Sequence, residues 1–154
     1  MSFSGCKGWA MFGRKKDVKK IYKTTDGLFN GRDDIKKPRP VAVVDQRKDD
    51  GALALVKLHK QKGKKSGIYI EDVVLKPSKH KALTEDSIVE NAVRLGKKTK
   101  DGHAPIFERD LKPTKDKLTR KEYAKVKKGI SGNTAAQKAK HKAKMKKWHR
   151  HFKA

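Results

Sequence analysis

The sequence contains one cysteine, Cys6, among 154 residues. A lone cysteine cannot form an internal disulfide or build a metal site by itself, so we expect packing to hold the fold in a reducing compartment. No window approaches the roughly 18 consecutive apolar residues of a membrane span, and the amino terminus lacks the apolar stretch of a secretory signal peptide. These absences predict a cytoplasmic protein that does not associate with membranes.

Motifs of nucleotide-dependent and hydrolytic enzymes are also missing. The chain has no GxxxxGK[ST] or GxGxxG loop to hold phosphates, and it has no nucleophile elbow. The closest pair of histidines, His149 and His151, would lie on different faces of a helix, and no cysteine or carboxylate cluster stands near them. We therefore predict no metal and no cofactor.

Acidic residues are scarce, because 17 Asp and Glu stand against 42 Lys and Arg, which gives a formal net charge of +25. Self-repulsion of this size is usually offset by an anionic partner, and phosphate backbones are the commonest such partner. RNA is the expected partner, with DNA as the alternative. Since 38% of the residues are charged and 34% are hydrophobic, we expect one compact domain with at least one solvated extension.

The sequence pattern divides the chain into a poorly ordered basic and aromatic leader (1–18), a domain (19–131) and a basic helical arm (134–154). Short runs of β-branched and aromatic residues predict strands at 19–23, 40–45, 52–59 and 68–75, the last with a bulge at Asp72. Turn chemistry at Asp49-Asp50-Gly51 makes the second and third strands a hairpin. Residues 84–95 fit either a helix or a strand.

Two capping boxes predict helices. Thr119-x-x-Glu122 starts a helix over about 120–130, and Thr134-x-x-Gln137 starts the arm, which has eight Lys and Arg and no acid. Uninterrupted positive charge favours a phosphate-tracking helix over one that only keeps the protein soluble, and its apolar face is too thin for a membrane surface. The expected nucleic-acid contacts are Lys138, Lys142, Lys146, Lys147 and Arg150 in the arm, Arg32, Lys36 and Lys37 in the long loop 24–38, and Lys62, Lys64 and Lys65 in a basic turn.

A candidate catalytic site lies at one end of the predicted hairpin, where Arg39 begins the second strand and His59 and Lys60 end the third. A guanidinium, an imidazole and an ammonium could there surround one phosphate. Cleavage of RNA by its own 2′-hydroxyl needs a base, an acid and a cation, with no metal. His59 could be the base or acid and Arg39 the charge stabiliser. The alternative is that Arg39 bonds a loop carboxylate such as Asp33 or Asp34 and His59 is an ordinary strand-end residue.

The order of these elements resembles the MazF/PemK family of toxin endoribonucleases, which share a fold with the CcdB gyrase poisons. Residues 39–44, with the sequence RPVAVV, are similar to the second strand of that family. The likeness continues through residues 51–61, 68–75 and 85–89 (EDSIV) to a helix at 118–130, and it spans about 19–131.

The resemblance implies an α+β fold: a small, barrel-like, mostly antiparallel sheet with a C-terminal helix, in which residues 87–93 form a strand. It implies a metal-independent endoribonuclease that cleaves single-stranded RNA, a homodimer formed through the sheet, and an acidic antitoxin as partner. The catalytic arginine of the family falls on Arg39, but its Ser/Thr falls on His59 or Lys60. Either His59 has taken over the acid–base work or the reaction is lost. A non-catalytic RNA- or DNA-binding module and a CcdB-like poison of a larger enzyme are the alternatives.

Overall fold

The structure, a computed structural model, describes residues 15–25, 38–61, 69–99 and 102–150. Within these ranges it contains eight strands and two α-helices. In chain order they are β1 (Lys20–Thr24), β2 (Pro40–Gln46), β3 (Leu53–Lys60), β4 (Tyr69–Leu75), β5 (Ser87–Glu90), β6 (Lys97–Thr99), β7 (Gly102–Ala104), β8 (Leu111–Lys117), α1 (Arg120–Ser131) and α2 (Ala135–Arg150).

Six of the strands form one antiparallel sheet in the order β4-β5-β3-β2-β1-β8, and β6 pairs separately with β7. The sheet and the two helices that follow it in the chain confirm the predicted α+β fold, and their arrangement is consistent with a small barrel-like domain. No helix in the described ranges is both long and apolar enough to cross a bilayer.

The β2–β3 hairpin is the centre of the sheet and confirms the pairing predicted from the sequence. Val41 aligns with Lys57 and Val43 with Leu55, and the register shifts before Asp45. In the turn, the Asp50 carboxylate accepts a hydrogen bond from the Ala52 N–H, and Gly51 has a φ of +82°. A residue with a side chain is strained in that left-handed conformation, which explains why glycine occupies the turn.

Both faces of the central strands are buried, which explains their nearly continuous apolar sequence. Alternate side chains of a strand point to opposite faces. One face packs with the helices and carries Ala42, Val44, Ala54, Val56 and Leu58. The opposite face carries Val41, Val43, Leu53 and Leu55, which cluster with Tyr22, Ile106 and Leu111.

Helix α1 starts with the predicted capping box: the Thr119 side chain accepts from the Glu122 N–H, and the Glu122 carboxylate accepts from the Thr119 N–H. Val126 is fully buried, and the Tyr123 hydroxyl donates to the Val44 carbonyl at 3.0 Å. Gly129 lies so close to β4 that a Cβ placed there would be 2.7 Å from the Ile70 side chain. These contacts fasten α1 to the sheet.

Helix α2 also starts with its predicted capping box, since the Gln137 N–H donates to the Thr134 hydroxyl at 3.1 Å and the Gln137 side-chain oxygen accepts from the Thr134 N–H at 3.1 Å. The helix is not a solvated arm throughout, because Met145 and Trp148 are buried in the core cluster beside Val126. Their spacing of three residues places them on one helical face, which packs against the domain.

The other strand predictions agree with the structure in part. The first four strands, β1 to β4, lie within one residue of their predicted bounds. The register of β4 shifts between Ile70 and Val74, a span that includes the predicted bulge at Asp72. The strand predicted at 87–93 ends at Glu90. Strand β8 was not predicted.

The end of the segment predicted as a leader is part of the fold. Asp17 is buried, and its carboxylate accepts hydrogen bonds from the side chains of Lys20, Tyr22 and Gln46. Residues 1–14 lie outside the described ranges.

Candidate nucleic-acid interface

The predicted catalytic residues lie at one end of the β2–β3 hairpin. Arg39 directly precedes β2, and its backbone is held by Thr24: the Arg39 N–H donates to the Thr24 hydroxyl at 2.9 Å, and its carbonyl accepts from the Thr24 N–H at 2.8 Å. The Val41–Lys57 register, continued by two residues, places Arg39 across from His59. The hairpin therefore brings Arg39 and His59 to the same end of the sheet.

A carboxylate orients the His59 ring. His59 Nε2 lies 2.7 Å from Glu90 Oε2, and Arg94 donates to the other Glu90 oxygen at 2.6 Å. The Tyr69 ring meets the His59 ring edge-on, with 5.6 Å between centroids. Burial raises the pKa of Glu90, but hydrogen bonds from His59 and Arg94 outweigh burial and hold that pKa below its ordinary value. The Glu90 carboxylate and the Tyr69 ring together hold the imidazole in one orientation.

The neighbouring Lys60 is less constrained. Its ammonium pairs with Glu85 at 3.0 Å, and its side chain is 59% exposed. Such surface pairs contribute little to stability, so a phosphate could replace Glu85 as the partner of Lys60. The carboxylates of Glu85 and Glu90 also reduce the positive potential at this end of the sheet.

Several of the predicted contacts lie outside the described residues. The alternative partners of Arg39, Asp33 and Asp34, fall outside the described residues. So do the predicted nucleic-acid contacts of the long loop and the basic turn: Arg32, Lys36, Lys37, Lys62, Lys64 and Lys65.

A second basic region lies between the two helices, in a groove of about 720 Å³ that we call the interhelix groove. Three of the predicted contacts, Lys138, Lys142 and Lys146, line its α2 side, whereas Lys147 and Arg150 lie elsewhere on α2. The full lining is Asp45, Lys127, Lys128, Ser131, Lys138, His141, Lys142, Met145 and Lys146. Only Asp45 among these residues is acidic.

A second groove, of about 520 Å³, adjoins the first and is called here the amino-terminal groove. It is lined by Lys15, Lys16, Val18, Lys19, Lys20, Asp45, Lys117, Tyr123 and Lys127. The Lys19 ammonium lies 5.5 Å from the centre of the Tyr123 ring, a cation–π distance. Asp45 and Lys127 line both grooves, so the two form one continuous surface, the basic trough.

Asp45 is already neutralised where the two grooves meet. Its Oδ1 accepts from Lys15 Nζ at 2.9 Å, and its Oδ2 lies 2.8 Å from His149 Nε2. Burial raises the pKa of Asp45, but the hydrogen bonds from Lys15, His149 and the Gln46 backbone outweigh burial and lower that pKa. The trough therefore offers an anion many cations and one carboxylate that is already paired.

Arg47 anchors the end of α2 and so holds one wall of the trough in place. The buried guanidinium donates to the Trp148 carbonyl at 3.2 Å, lies 5.2 Å from the centre of the indole ring, and binds Asp50 through two hydrogen bonds. Arg47 follows β2 in a polar turn, and nothing in the local pattern indicates that it is buried. The helical spacing of Met145 and Trp148 was the signal that α2 has a packed face.

A buried histidine lies apart from the trough. His80 Nδ1 is 2.8 Å from Asp116 on β8, and its Nε2 is 2.9 Å from Glu122 on α1. Burial lowers the pKa of His80, but hydrogen bonds and charge from Glu122 and Asp116 outweigh burial and raise it. The ring is 1% exposed, and its contacts with Asp116 and Glu122 join β8 to α1.

No protein-family model matches this chain, and no curated protein matches it significantly. The resemblance to the MazF/PemK family stays a prediction. Among the described residues, no group of three or more histidine, cysteine or acidic side chains is arranged to hold a metal ion.

Proposed function

We propose that the protein binds RNA through the basic trough. The observation that supports this function most directly is the lining of the trough: ten lysines from the segment 15–20, the end of β8, α1 and α2 surround one neutralised carboxylate. A concave surface of one sign concentrates an anionic ligand and speeds its association. The resemblance to RNA-cleaving toxins favours RNA over DNA.

A surface that only maintained solubility would carry charges of both signs. The trough instead gathers like charges from segments far apart in the chain, such as Lys15 and Lys146. Folding brings these charges together at an electrostatic cost, which an RNA backbone would remove by neutralising them.

The test measures RNA affinity against salt for the wild type and Lys127→Gln. Lys127 lines both grooves. Loss of one phosphate contact should lower the slope of log affinity against log salt by about 0.7 for single-stranded RNA. Lys79→Gln is the control, because Lys79 is exposed and lines neither groove. No measurable RNA binding by the wild type, or equal losses in both variants, would contradict the proposal, and a DNA competitor decides between the nucleic acids.

Point substitutions are preferable to removal of residues 134–154. Met145 and Trp148 pack in the core, so deleting the helix would expose apolar surface as well as remove charge. A loss of binding after that deletion could then reflect unfolding.

RNA cleavage of the toxin type is the second candidate function, and the His59–Glu90 pair is the observation that favours it. A carboxylate-held imidazole beside the start of β2 could exchange protons with a 2′-hydroxyl or a leaving oxygen. Arg39→Ala should then raise the activation barrier by about 3 kcal/mol, and so slow cleavage, with little effect on the stability of the fold. His59→Ala should change the pH–rate profile. EDTA should have no effect.

Wild-type protein that binds RNA but leaves it intact would rule out cleavage and keep the binding function. The acidic antitoxin, the homodimer, the action as a poison of a larger enzyme and the cytoplasmic location stay predictions from the sequence. An acidic antitoxin segment would compete with RNA for the trough.

A further inference from the structure

We infer that the interhelix groove binds one strand of a phosphodiester chain, with Lys138, Lys142 and Lys146 beside successive phosphates. The inference rests on the proposed RNA binding and adds to it the class of ligand, single-stranded nucleic acid, and the position of that strand. The other groove of the trough then receives the continuation of the strand past Lys127.

The spacing of the three α2 lysines fits a single strand. They follow one another at intervals of four residues, so they form one row along the helix, with steps of about 6 Å along the axis. This step is comparable to the separation of neighbouring phosphates in an extended strand. All three side chains are exposed and line the groove, so they can reach a ligand without a change of fold.

Cations on the opposite wall make the site selective for one strand. Lys127 and Lys128 of α1 face the row on α2 across the groove. A single backbone lying between the helices meets ammonium groups on both sides. A duplex is wider than a single strand, so we expect it to reach fewer of these ammonium groups. Single-strand-binding proteins commonly track the backbone in such a positive groove.

His141 lies inside the groove and reports its occupancy. Burial lowers the pKa of His141, Lys127 and Lys144 lower it further, and Asp45 raises it. A phosphate entering the groove would add negative charge and raise the pKa of the ring. The charged groups lining the groove around His141 are Asp45 of β2, Lys127 and Lys128 of α1, and Lys138, Lys142 and Lys146 of α2.

Two triple variants with the same change in charge test the inference. The groove variant carries Lys138→Gln, Lys142→Gln and Lys146→Gln. The matched control carries Lys140→Gln, Lys144→Gln and Lys147→Gln on the other side of α2, where none of the three lysines lines either groove. Neither variant changes Met145 or Trp148, and circular dichroism with thermal unfolding checks that α2 stays folded.

The probes are a single-stranded RNA of about 12 nucleotides and the same RNA annealed to its complement. For the single strand, the groove variant should lower the salt slope by about 2, since three phosphate contacts are lost at about 0.7 each. The control variant should lower it by much less. The wild type should bind the single strand more tightly than the duplex. Equal effects of the two variants, or equal binding of single strand and duplex, would overturn the inference.

Proton NMR of the histidine rings gives a readout of position. Adding the single-stranded RNA should raise the pKa of His141 in the wild type and in the control variant, but not in the groove variant. An unchanged His141 pKa in RNA-saturated wild type would place the strand elsewhere on the protein. Failure of the wild type to bind either RNA would instead overturn the proposed RNA-binding function itself, so the two failures are distinguishable.

Discussion

Replacing His80 with leucine should destabilise the protein, and more strongly at about pH 6 than at about pH 9. The imidazole is 1% exposed and lies between the carboxylates of Asp116 and Glu122, at 2.8 and 2.9 Å. Leucine has a similar size but neither donates a hydrogen bond nor carries charge. The substitution therefore leaves two carboxylates facing each other across an apolar side chain.

The size of the destabilisation depends on the hydrogen bonds that each carboxylate keeps after the substitution. Removing one partner of a buried ion pair costs about 3–5 kcal/mol. Asp116 keeps the backbone N–H donors of Ala82 and Lys117, and Glu122 keeps that of Thr119. We therefore expect a loss of stability at the lower end of this range, about 3 kcal/mol. For a chain of this length, that corresponds to a fall in melting temperature of about 6–12 °C.

The pH dependence has a definite sign. Since the pKa of His80 is raised in the folded protein, its stabilisation is complete below the unfolded value of about 6.5 and is lost as the pH rises through the raised pKa. Burial raises the pKa of Glu122, but its hydrogen bonds outweigh burial and lower it, so its stabilisation is lost as the pH falls below the unfolded value of about 4.5. The ion pairs therefore contribute most near pH 6.

Urea unfolding of the wild type and His80→Leu at about pH 6 and about pH 9 measures the difference directly. His103→Leu is the control, because His103 is exposed on β7. Its substitution should change stability little and equally at both pH values. If His80→Leu lowers the free energy of unfolding equally at the two pH values, or more at the higher one, the charged histidine is not what joins β8 to α1.

Substitutions at the helix contacts test the packing. Gly129→Ala should destabilise the protein by about 1 kcal/mol, because overpacking against Ile70 outweighs the gain in helix propensity. In an Ile70→Ala background the same change should stabilise the protein. Thermal unfolding of the wild type, the two single variants and the double variant measures both effects. Thr119→Ala should cost about 1 kcal/mol through loss of the cap, measured by urea unfolding. Arg47→Gln should speed amide exchange around Trp148 without unfolding the sheet, and unchanged exchange would contradict the anchoring role.

Local patterns were sufficient to predict the hairpin and both helix starts. The turn at Asp50-Gly51 and the capping boxes at Thr119 and Thr134 act within a few residues, so their physics is visible in a short window. Residues 87–90 show the limit of this approach, because their apolar spacing also fits a helix. Pairing with β3 and β4 on either side stabilises the strand instead.

Features that depend on distant residues were not predictable. Strand β8 contains Pro113 and a series of charged residues, and it is a strand because it pairs with β1. The trough forms only when folding brings Asp45 and Lys127 into the lining of the same two grooves. The burial of Arg47 likewise depends on Trp148, which lies 101 residues further along the chain.

The two edges of the six-stranded sheet affect how copies of the protein can associate. At one edge, β8 presents Pro113, which cannot donate a backbone hydrogen bond, together with the exposed Lys112, Lys115 and Lys117. At the other edge, β4 is interrupted by its register shift. Each device opposes pairing of one sheet edge with another, which is a common route to aggregation. Despite its apolar strands, the described sheet therefore disfavours open-ended growth through these two edges, and any association of copies is expected to use another surface.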